Sequence, residues 1–392
     1  MRASDKISSF LNEINSVCNN EINIKKSSIR DKNNYFLYKI EMSDSFKEVN
    51  IRRIKRLYDS YKDKDYEKKV ILDDITKLFY NQWDGAYSEL LAYDLMNLIS
   101  PKPCKIQISN LDVSKTLARE CKDKNVSAID GYCDEGLIFF EIKTLTQRLS
   151  DLIYKLKQDL ESRNSDDYFL FTSDYPMNLE INGDCKYAEL KKEILEAKKH
   201  KKDFLCSEVI KGLNIKFYYE KKPIDKLDGI NKVLETTSVL VETHVCENAF
   251  EMAQRLECMP LYNYKQFVDG MFMKIFVCHS LNIQGSLICH RDFFRALARR
   301  VFCKLTKDNT TFDDNSNLTT SDIAKHLSGL MFIVDNSLNE HIDTSNNKQL
   351  YKVYLYANPN TDWNHRFVSF RNFCLMLNGI SHECDDFEYD NY

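Results

Sequence analysis

The stretch AIDGYCDEGLIFFEIKTL, residues 128–145, carries charged side chains inside an otherwise apolar run. They are Asp130, Glu141 and Lys143. Charged side chains are rare in core strands unless something pairs with them. Two close carboxylates can hold a divalent cation between them, and a nearby amine can stabilise negative charge that develops on a phosphate. The residue types therefore indicate a candidate site for phosphate chemistry.

A β-hairpin would bring these three side chains together. The segment CDEG (133–136) is typical of a tight turn. A turn centred there places Asp130 about opposite Glu141, where facing side chains lie roughly 4.5–5.5 Å apart. Because strand side chains alternate, Glu141 and Lys143 share one face. We therefore expect all three groups at one edge of a sheet.

The expected cofactor is Mg²⁺ or Mn²⁺. An oxygen-rich site with open positions suits Mg²⁺, which keeps several of its waters. The bound ion would polarise a phosphate oxygen and lower the pKa of an attacking water. Asp130 and Glu141 are the predicted metal ligands, and Lys143 is predicted to assist the water. The alternative is an exposed edge hairpin with Glu141 and Lys143 in water, but the apolar run LIFFEIKTL is typical of a buried central strand.

The pattern AIDG, then FFEIK, separates an Asp from a Glu-x-Lys by ten residues and resembles the PD-(D/E)XK nuclease superfamily. The resemblance covers about residues 70–222. It implies an α/β fold, a restriction-endonuclease-like mixed sheet flanked by helices, with additional N-terminal helical and C-terminal α/β regions. Ile129 stands where the motif's name has Pro, a position that varies widely.

The resemblance also implies a further acid from the helix before the hairpin. That helix is predicted over 75–99 and contains GAYSELLAY, so we assign the role to Glu89 as a catalytic and metal-binding residue. The small residues Gly85, Ala86 and Ala92 flank it, and we expect them to allow close approach of this helix face to a sheet.

The implied activity is a Mg²⁺-dependent nuclease, with DNA as the expected substrate and RNA as the alternative. A role in restriction or anti-phage defence, a homodimer, and a partner protein in a multi-component system follow by analogy with such nucleases. A different hypothesis is a catalytically inactive protein of the same fold that binds nucleic acid or protein as a scaffold. The intact Asp, Glu and Lys favour the active form.

Composition sets the broad class. The chain has 392 residues, a net charge of −4, 43% apolar and 29% charged residues, as in ordinary globular proteins. The 13 cysteines form no CxxC pattern, and no secretory h-region or membrane-spanning apolar run occurs, which favours a cytoplasmic protein without membrane partners. Neither GxxxxGK[ST] nor GxGxxG is present, which argues against an ATPase or a dinucleotide enzyme.

We predict four regions along the chain. They are a mainly helical region at 1–69, the nuclease core at 70–222, a C-terminal α/β region at 235–380 and an acidic, mobile tail at 381–392. The first region includes a candidate strand at 35–40 and a charged helix at 49–70 with a solvated face. The C-terminal region would complete the core, bind DNA or sense a partner.

Basic and polar residues outside the hairpin are candidate nucleic-acid contacts. Arg291, Arg295 and Arg299 recur at steps of four in HRDFFRALARRVF and form a basic stripe. The alternative is a solvated helix whose arginines pair with nearby acids. Lys155 and Gln158 lie on the helix predicted after the hairpin, where related nucleases often carry such residues, and exposed polar positions are the equal alternative.

A zinc site is the weaker interpretation of CHSLNIQGSLICH. Its Cys278, His279, Cys289 and His290 are all residue types that bind zinc. Adjacent Cys-His pairs do not easily point at one ion, and the spacing matches no common zinc motif. Buried core cysteines are the favoured interpretation.

Overall fold

The computed structural model describes residues 5–22, 24, 34–109, 111–121, 126, 128–134, 137–145, 156, 168–173, 183–209, 213–218, 249–279, 291–313, 317–338, 342–361 and 370–387. The chain divides into two compact units. The first comprises Met1–Leu145, Ala253–His279 and Arg291–Tyr392, and the second Thr146–Met252 and Ser280–His290.

The helices are α1 Asp5–Val17, α2 Tyr35–Met42, α3 Asp44–Tyr61, α4 Asp65–Lys77, α5 Trp83–Ile99, α6 Gly183–Lys199, α7 Ala249–Arg255, α8 Arg291–Arg299, α9 Thr320–His326 and α10 Phe370–Met376. The strands are β1 Lys105–Ile108, β2 Ile129–Cys133, β3 Ile138–Thr144, β4 Tyr168–Ser173, β5 Phe204–Cys206, β6 Leu213–Tyr218, β7 Phe272–Cys278, β8 Gly329–Asp335, β9 Tyr351–Ala357 and β10 Ser381–Asp385.

The predicted strand at 35–40 is wrong, because this segment is helix α2. Asn34 caps it: the Leu37 backbone N–H donates to Asn34 Oδ1 at 3.0 Å. Phe36, Leu37 and Ile40 are buried, which is a helical spacing. The short apolar run is compatible with either a strand or a helix, and the Asn34 cap favours the helix.

The single helix predicted over 75–99 is two helices. The helix α4 ends at Lys77 and α5 begins at Trp83. The Leu78 and Phe79 side chains between them are buried, so apolar residues continue through the turn. This continuity hides the break from a periodicity argument.

The first unit contains a seven-stranded mixed sheet in the order β1-β2-β3-β7-β8-β9-β10. Strands β3, β7 and β8 run parallel, and so do β9 and β10, whereas the other neighbours are antiparallel. Every residue of β7 is buried, as expected for a strand covered on both faces. The protein is therefore α/β, as predicted.

The C-terminal strands continue the sheet that the hairpin begins. Six residue pairs join β3 to β7 in parallel, from Phe139–Phe272 to Thr144–Val277. The sheet therefore extends beyond the predicted boundary of the core at residue 222. The parallel partner of β3 is β7, which comes more than 120 residues later in the chain. Strands β7 to β10 therefore belong to the same sheet as the β2–β3 hairpin.

The predicted acidic tail at 381–392 begins as an edge strand rather than as a mobile segment. Strand β10 pairs in parallel with β9, from Ser381–Lys352 to Asp385–Tyr356. Residues 388–392 lie outside the described part of the chain.

A buried polar network joins α3 and α5 to β8 and β9. Arg53 is 1% exposed. Its guanidinium lies 3.5 Å from Asp335 and 3.6 Å from Asp94. Tyr87 donates to Asp335 at 2.7 Å, and Tyr351 donates to Asp94 at 2.5 Å. The helix predicted at 49–70 with a solvated face thus sends one arginine into the core.

The second unit contains a three-stranded antiparallel sheet in the order β4-β6-β5, together with α6. The predicted helix around 149–160 lies outside the described residues except for Leu156, which is helical and buried. The predicted strand at 237–245 also lies outside them.

Candidate functional site

The hairpin register puts Asp130 across from Glu141. Gly131 pairs with Phe140, and continuing this antiparallel register by one residue pairs Asp130 with Glu141. This end of the hairpin is the one away from the turn. The sequence predicts this juxtaposition correctly, because the turn fixes the register.

The Phe140 ring packs so close to residue 131 that only glycine fits there. A Cβ atom added to Gly131 would lie 2.1 Å from Phe140 Cζ, far inside van der Waals contact. The ring therefore rests directly on the glycine backbone beside Asp130. Only glycine allows this close approach without moving the ring.

The Asp130 carboxylate is held by two donors. The Ile142 backbone N–H donates to Asp130 Oδ2 at 2.6 Å, and Gln107 Nε2 donates to Oδ1 at 3.2 Å. Burial raises the pKa of Asp130 to about 6, and the Ile142 N–H and the Lys143 charge oppose this rise. A further cation nearby would stabilise the ionised form of this buried carboxyl group.

Glu141 is 1% exposed and lies among polar groups from three segments. Lys143 Nζ lies 2.6 Å from Oε1, and Asn263 Nδ2 donates to the same oxygen at 3.2 Å. Lys274 Nζ lies 3.5 Å from Oε2, and no donor in the described residues makes a hydrogen bond to that oxygen. Two lysines therefore share one buried carboxylate.

The two lysines differ in their access to water. Lys143 is 41% exposed at its side chain, whereas Lys274 is 1% exposed. Burial lowers the pKa of Lys274 to about 8, against the attraction of Glu141. Burial acts on Lys143 in the same direction, but the charge and hydrogen bond of Glu141 keep its pKa above the ordinary value. Lys143 is thus the amine that faces solvent at this site.

Glu89 of α5 faces a second carboxyl group, Asp74 of α4. Burial raises the pKa of Glu89 to about 8, and the negative charges of Asp74 and Asp130 add to the rise. Burial likewise raises the pKa of Asp74, although Lys77 Nζ lies 2.9 Å from its Oδ1. Two adjacent carboxyl groups share a proton when neither can ionise freely. Asp74 Oδ2 is buried without a hydrogen-bond partner in the described residues.

The expectation for the small residues near Glu89 is correct in part. Ala86 and Ala92 are buried, and α5 packs against β3 and β7. Gly85 is exposed, and a Cβ added there would have no atom within 4 Å. Gly85 therefore does not contribute to the close approach.

Four residues of the site are absent from the sequence-based prediction: Asp74, Gln107, Asn263 and Lys274. Lys274 interrupts the apolar run FMKIFVC, the same signal that marks Glu141. Asp74 lies between Ile71 and Ile75 on the buried side of α4, which is also a detectable signal. Gln107 and Asn263 carry no such mark, because they reach the site through irregular backbone with φ of 43° and 62°.

The donor set suits a hard cation in part. Carboxylate oxygens are the ligands Mg²⁺ prefers, and two of them, Glu141 Oε2 and Asp74 Oδ2, are buried without a hydrogen-bond partner. Among the residues that the structure describes, no three His, Cys, Asp or Glu side chains form a group able to hold a metal. The predicted ligands Asp130, Glu141 and Glu89 therefore do not form such a group. Lys143 and Lys274 both lie beside the Glu141 carboxyl group.

Two arginines of the predicted basic stripe on α8 pair with acids of β10. Arg291 Nε lies 2.5 Å from Glu383, and Arg295 Nε lies 3.0 Å from Asp385. Arg299 is exposed. Arg291 and Arg295 therefore agree with the alternative interpretation, in which the arginines pair with nearby acids. Lys155 and Gln158 lie outside the described residues.

The zinc interpretation has two of its four residues in the described part. Cys278 is buried, and His279 is buried with its Nε2 2.6 Å from Asp84 Oδ1. Cys289 and His290 lie outside the described residues.

Comparisons of the chain with protein-family models, curated proteins and solved structures find no match. Within the described residues, no helix combines the length and apolar character that crossing a membrane requires.

Proposed function

We propose that this protein is a Mg²⁺- or Mn²⁺-dependent nuclease with a restriction-endonuclease-like fold, and that it cuts DNA. The observation that carries the proposal is the convergence of Asp130, Glu141 and Lys143 at one end of the β2–β3 hairpin. The Lys143 amine lies 2.6 Å from Glu141, and the Asp130 carboxylate is tied to the backbone of Ile142 between them.

Each group has a distinct role in this proposal. Asp130 and Glu141 hold the metal, and Glu89 supports them or a second ion. The bound ion supplies Lewis-acid activation of a phosphate oxygen and of the attacking water. Lys143, the solvent-facing amine, orients that water and stabilises negative charge developing on the phosphate. Gln107 and the Ile142 N–H keep the Asp130 carboxylate in place.

The biological setting follows only from the resemblance to PD-(D/E)XK nucleases. By that analogy, we propose a cytoplasmic role in restriction or anti-phage defence, with a homodimer or a partner protein for double-strand cutting. RNA is the alternative substrate.

The test is a cleavage assay on plasmid, single-stranded DNA and RNA with Mg²⁺ or Mn²⁺. We expect Lys143→Ala and Glu141→Gln to lower the rate by more than about 100-fold. Lys143→Ala is the cleaner variant, because Glu141→Gln also leaves Lys274 without its buried partner. Lys6→Ala removes an exposed ion pair between Lys6 of α1 and Asp44 of α3, and this control variant should cut normally. Equal rates in wild type and Lys143→Ala would overturn the proposal.

A second candidate is a catalytically inactive scaffold of the same fold. Two observations favour it. Lys143 and Lys274 both lie against the Glu141 carboxyl group, and the described residues contain no group of three metal-binding side chains. A specific ligand raises the melting temperature by mass action. We expect millimolar Mg²⁺ or Mn²⁺ to raise it in the wild type and not in Asp130→Asn, whereas no rise in either protein would favour the scaffold.

A further inference from the structure

The loop that contacts Glu141 also carries an exposed aromatic ring. Asn263, in the left-handed backbone region at φ 62°, donates its side-chain amide to Glu141. The preceding carbonyl, that of Tyr262, accepts a hydrogen bond from Lys274 Nζ. Both residues are therefore anchored to the candidate site through polar contacts. The Tyr262 side chain is nevertheless 57% exposed.

A second loop supports this ring. The Phe312 ring lies 6.4 Å from the Tyr262 ring, and Tyr264 packs edge-on against Phe312 at 5.5 Å. Tyr264 in turn donates its hydroxyl to Asp313 at 2.6 Å. The Phe312 backbone N–H donates to the Leu318 carbonyl at 3.2 Å. The exposed tyrosine thus stands on an aromatic base that two loops hold in place.

The chemistry of such a surface suits a nucleobase. Every base has an aromatic face, and stacking on Tyr or Phe binds bases without reading their sequence. A base inside a duplex already has both faces covered by its neighbours, so only an unpaired or flipped base can use a protein ring. The position is also right, because the flanking residue Asn263 contacts Glu141, where the strand backbone would be cut.

We propose that the exposed Tyr262 ring, supported by Phe312, is a stacking platform for an unpaired base of the DNA strand whose backbone enters the site at Glu141. The inference rests on the proposed function and deepens it by naming single-stranded or locally unpaired DNA as the substrate class.

The experiment measures binding without cleavage. Fluorescence anisotropy with a labelled oligothymidine, in EDTA, gives the dissociation constant of the full-length protein; a hairpin duplex and an oligouridine of equal length are the comparison probes. We expect Tyr262→Ala to weaken oligothymidine binding by about tenfold and Tyr262→Phe to leave it unchanged. Tyr38→Ala, which removes a tyrosine of α2 that is 50% exposed, is the matched control and should bind normally.

Three outcomes would overturn the platform: unchanged binding by Tyr262→Ala, equal losses in Tyr262→Ala and Tyr38→Ala, or no binding of any probe by the wild type. A loss confined to oligouridine would replace DNA with RNA and contradict the inference as stated. The proposed function is judged separately, because plasmid cleavage with a neutral Tyr262→Ala overturns only the platform. Tyr262-dependent binding without any cleavage supports the platform and overturns the nuclease.

Discussion

Lys274 and Glu141 are paired in register on the parallel strands β7 and β3, and each side chain is only 1% exposed. A buried ion pair is costly to form, because both charges lose their hydration. Lys143 adds a second positive charge to the same carboxylate. The site thus contains two basic side chains, Lys143 and Lys274, beside the buried Glu141 carboxyl group.

We expect Lys274→Met to lower the free energy of unfolding by roughly 3 kcal/mol, because breaking a buried pair leaves an under-compensated charge. Urea denaturation of wild type and variant measures the difference.

The double variant Glu141→Gln with Lys274→Met separates pairing from packing. The double variant removes both charges. Its decrease in the free energy of unfolding should therefore be smaller than the sum of the two single decreases by roughly 1 kcal/mol or more. Strict additivity would contradict a direct interaction between the two side chains.

The raised pKa of Glu89 predicts a stability that depends on pH. Below its ordinary pKa of 4.5, the carboxyl is protonated in both folded and unfolded chains; between 4.5 and about 8, only the folded protein keeps the proton. The free energy of unfolding therefore falls as pH rises through this window. Glu89→Gln imitates the protonated acid, so we expect its stability to fall less between pH 6 and 8 and to exceed that of the wild type above pH 8.

Urea denaturation from pH 5 to pH 9 without divalent metal measures this difference. If the free energy of unfolding changes with pH in the same way in wild type and Glu89→Gln, Glu89 is not the group responsible for the pH dependence. Asp74→Asn removes one negative neighbour of Glu89 and should move the upper end of the window to lower pH. Asp73→Asn is the matched control. Asp73 contacts Lys77, as Asp74 does, but its side chain is 63% exposed.

The juxtaposition of Asp130 and Glu141 in the hairpin was predictable because local rules determine it. A tight turn fixes the register, and the register fixes which side chains face each other, so Asp130 and Glu141 follow from the sequence alone. The same reasoning applied to FMKIFVC would have found Lys274, a charge inside an apolar strand. Its partnership with Glu141 was not predictable, since it depends on which distant strand pairs with β3.

Other errors arose where tertiary packing overrides local pattern. Residues 49–70 have the charge of a solvated helix, but Arg53 is buried because Asp94 and Asp335 come from α5 and β8 to meet it. Residues 381–385 have the composition of a tail, yet they form β10 because β9 offers a free edge. Neither partner is near in sequence.

Gly131 and Gly85 form a matched pair for testing the hairpin geometry. A Cβ at Gly131 would collide with the Phe140 ring, so we expect Gly131→Ala to lower the free energy of unfolding by roughly 1–3 kcal/mol. Gly85 is exposed on α5 with open space around it, so Gly85→Ala should raise stability by roughly 0.5–1 kcal/mol. Thermal and urea unfolding of both variants measure whether stability falls or rises. Unchanged stability in Gly131→Ala would contradict the close contact with the Phe140 ring.

Arg53 connects the N-terminal helices to the sheet that carries the site. Its guanidinium is the shared partner of two buried carboxylates, Asp94 and Asp335. Asp94 also accepts from both Nε and Nη2 of Arg56, at 3.0 and 2.6 Å, whereas Asp335 accepts from the hydroxyls of Tyr87 and Ser337. Arg53→Met keeps the packing volume but leaves Asp335 without a cationic partner in the described residues, whereas Asp94 keeps Arg56. We therefore expect the free energy of unfolding to fall by roughly 3 kcal/mol in urea denaturation. Arg119→Ala, which removes a half-exposed arginine beside Glu120, should change stability by less than about 0.5 kcal/mol. Similar small losses in both variants would mean that the network is not a stability determinant, and that apolar packing alone holds α3 against the sheet.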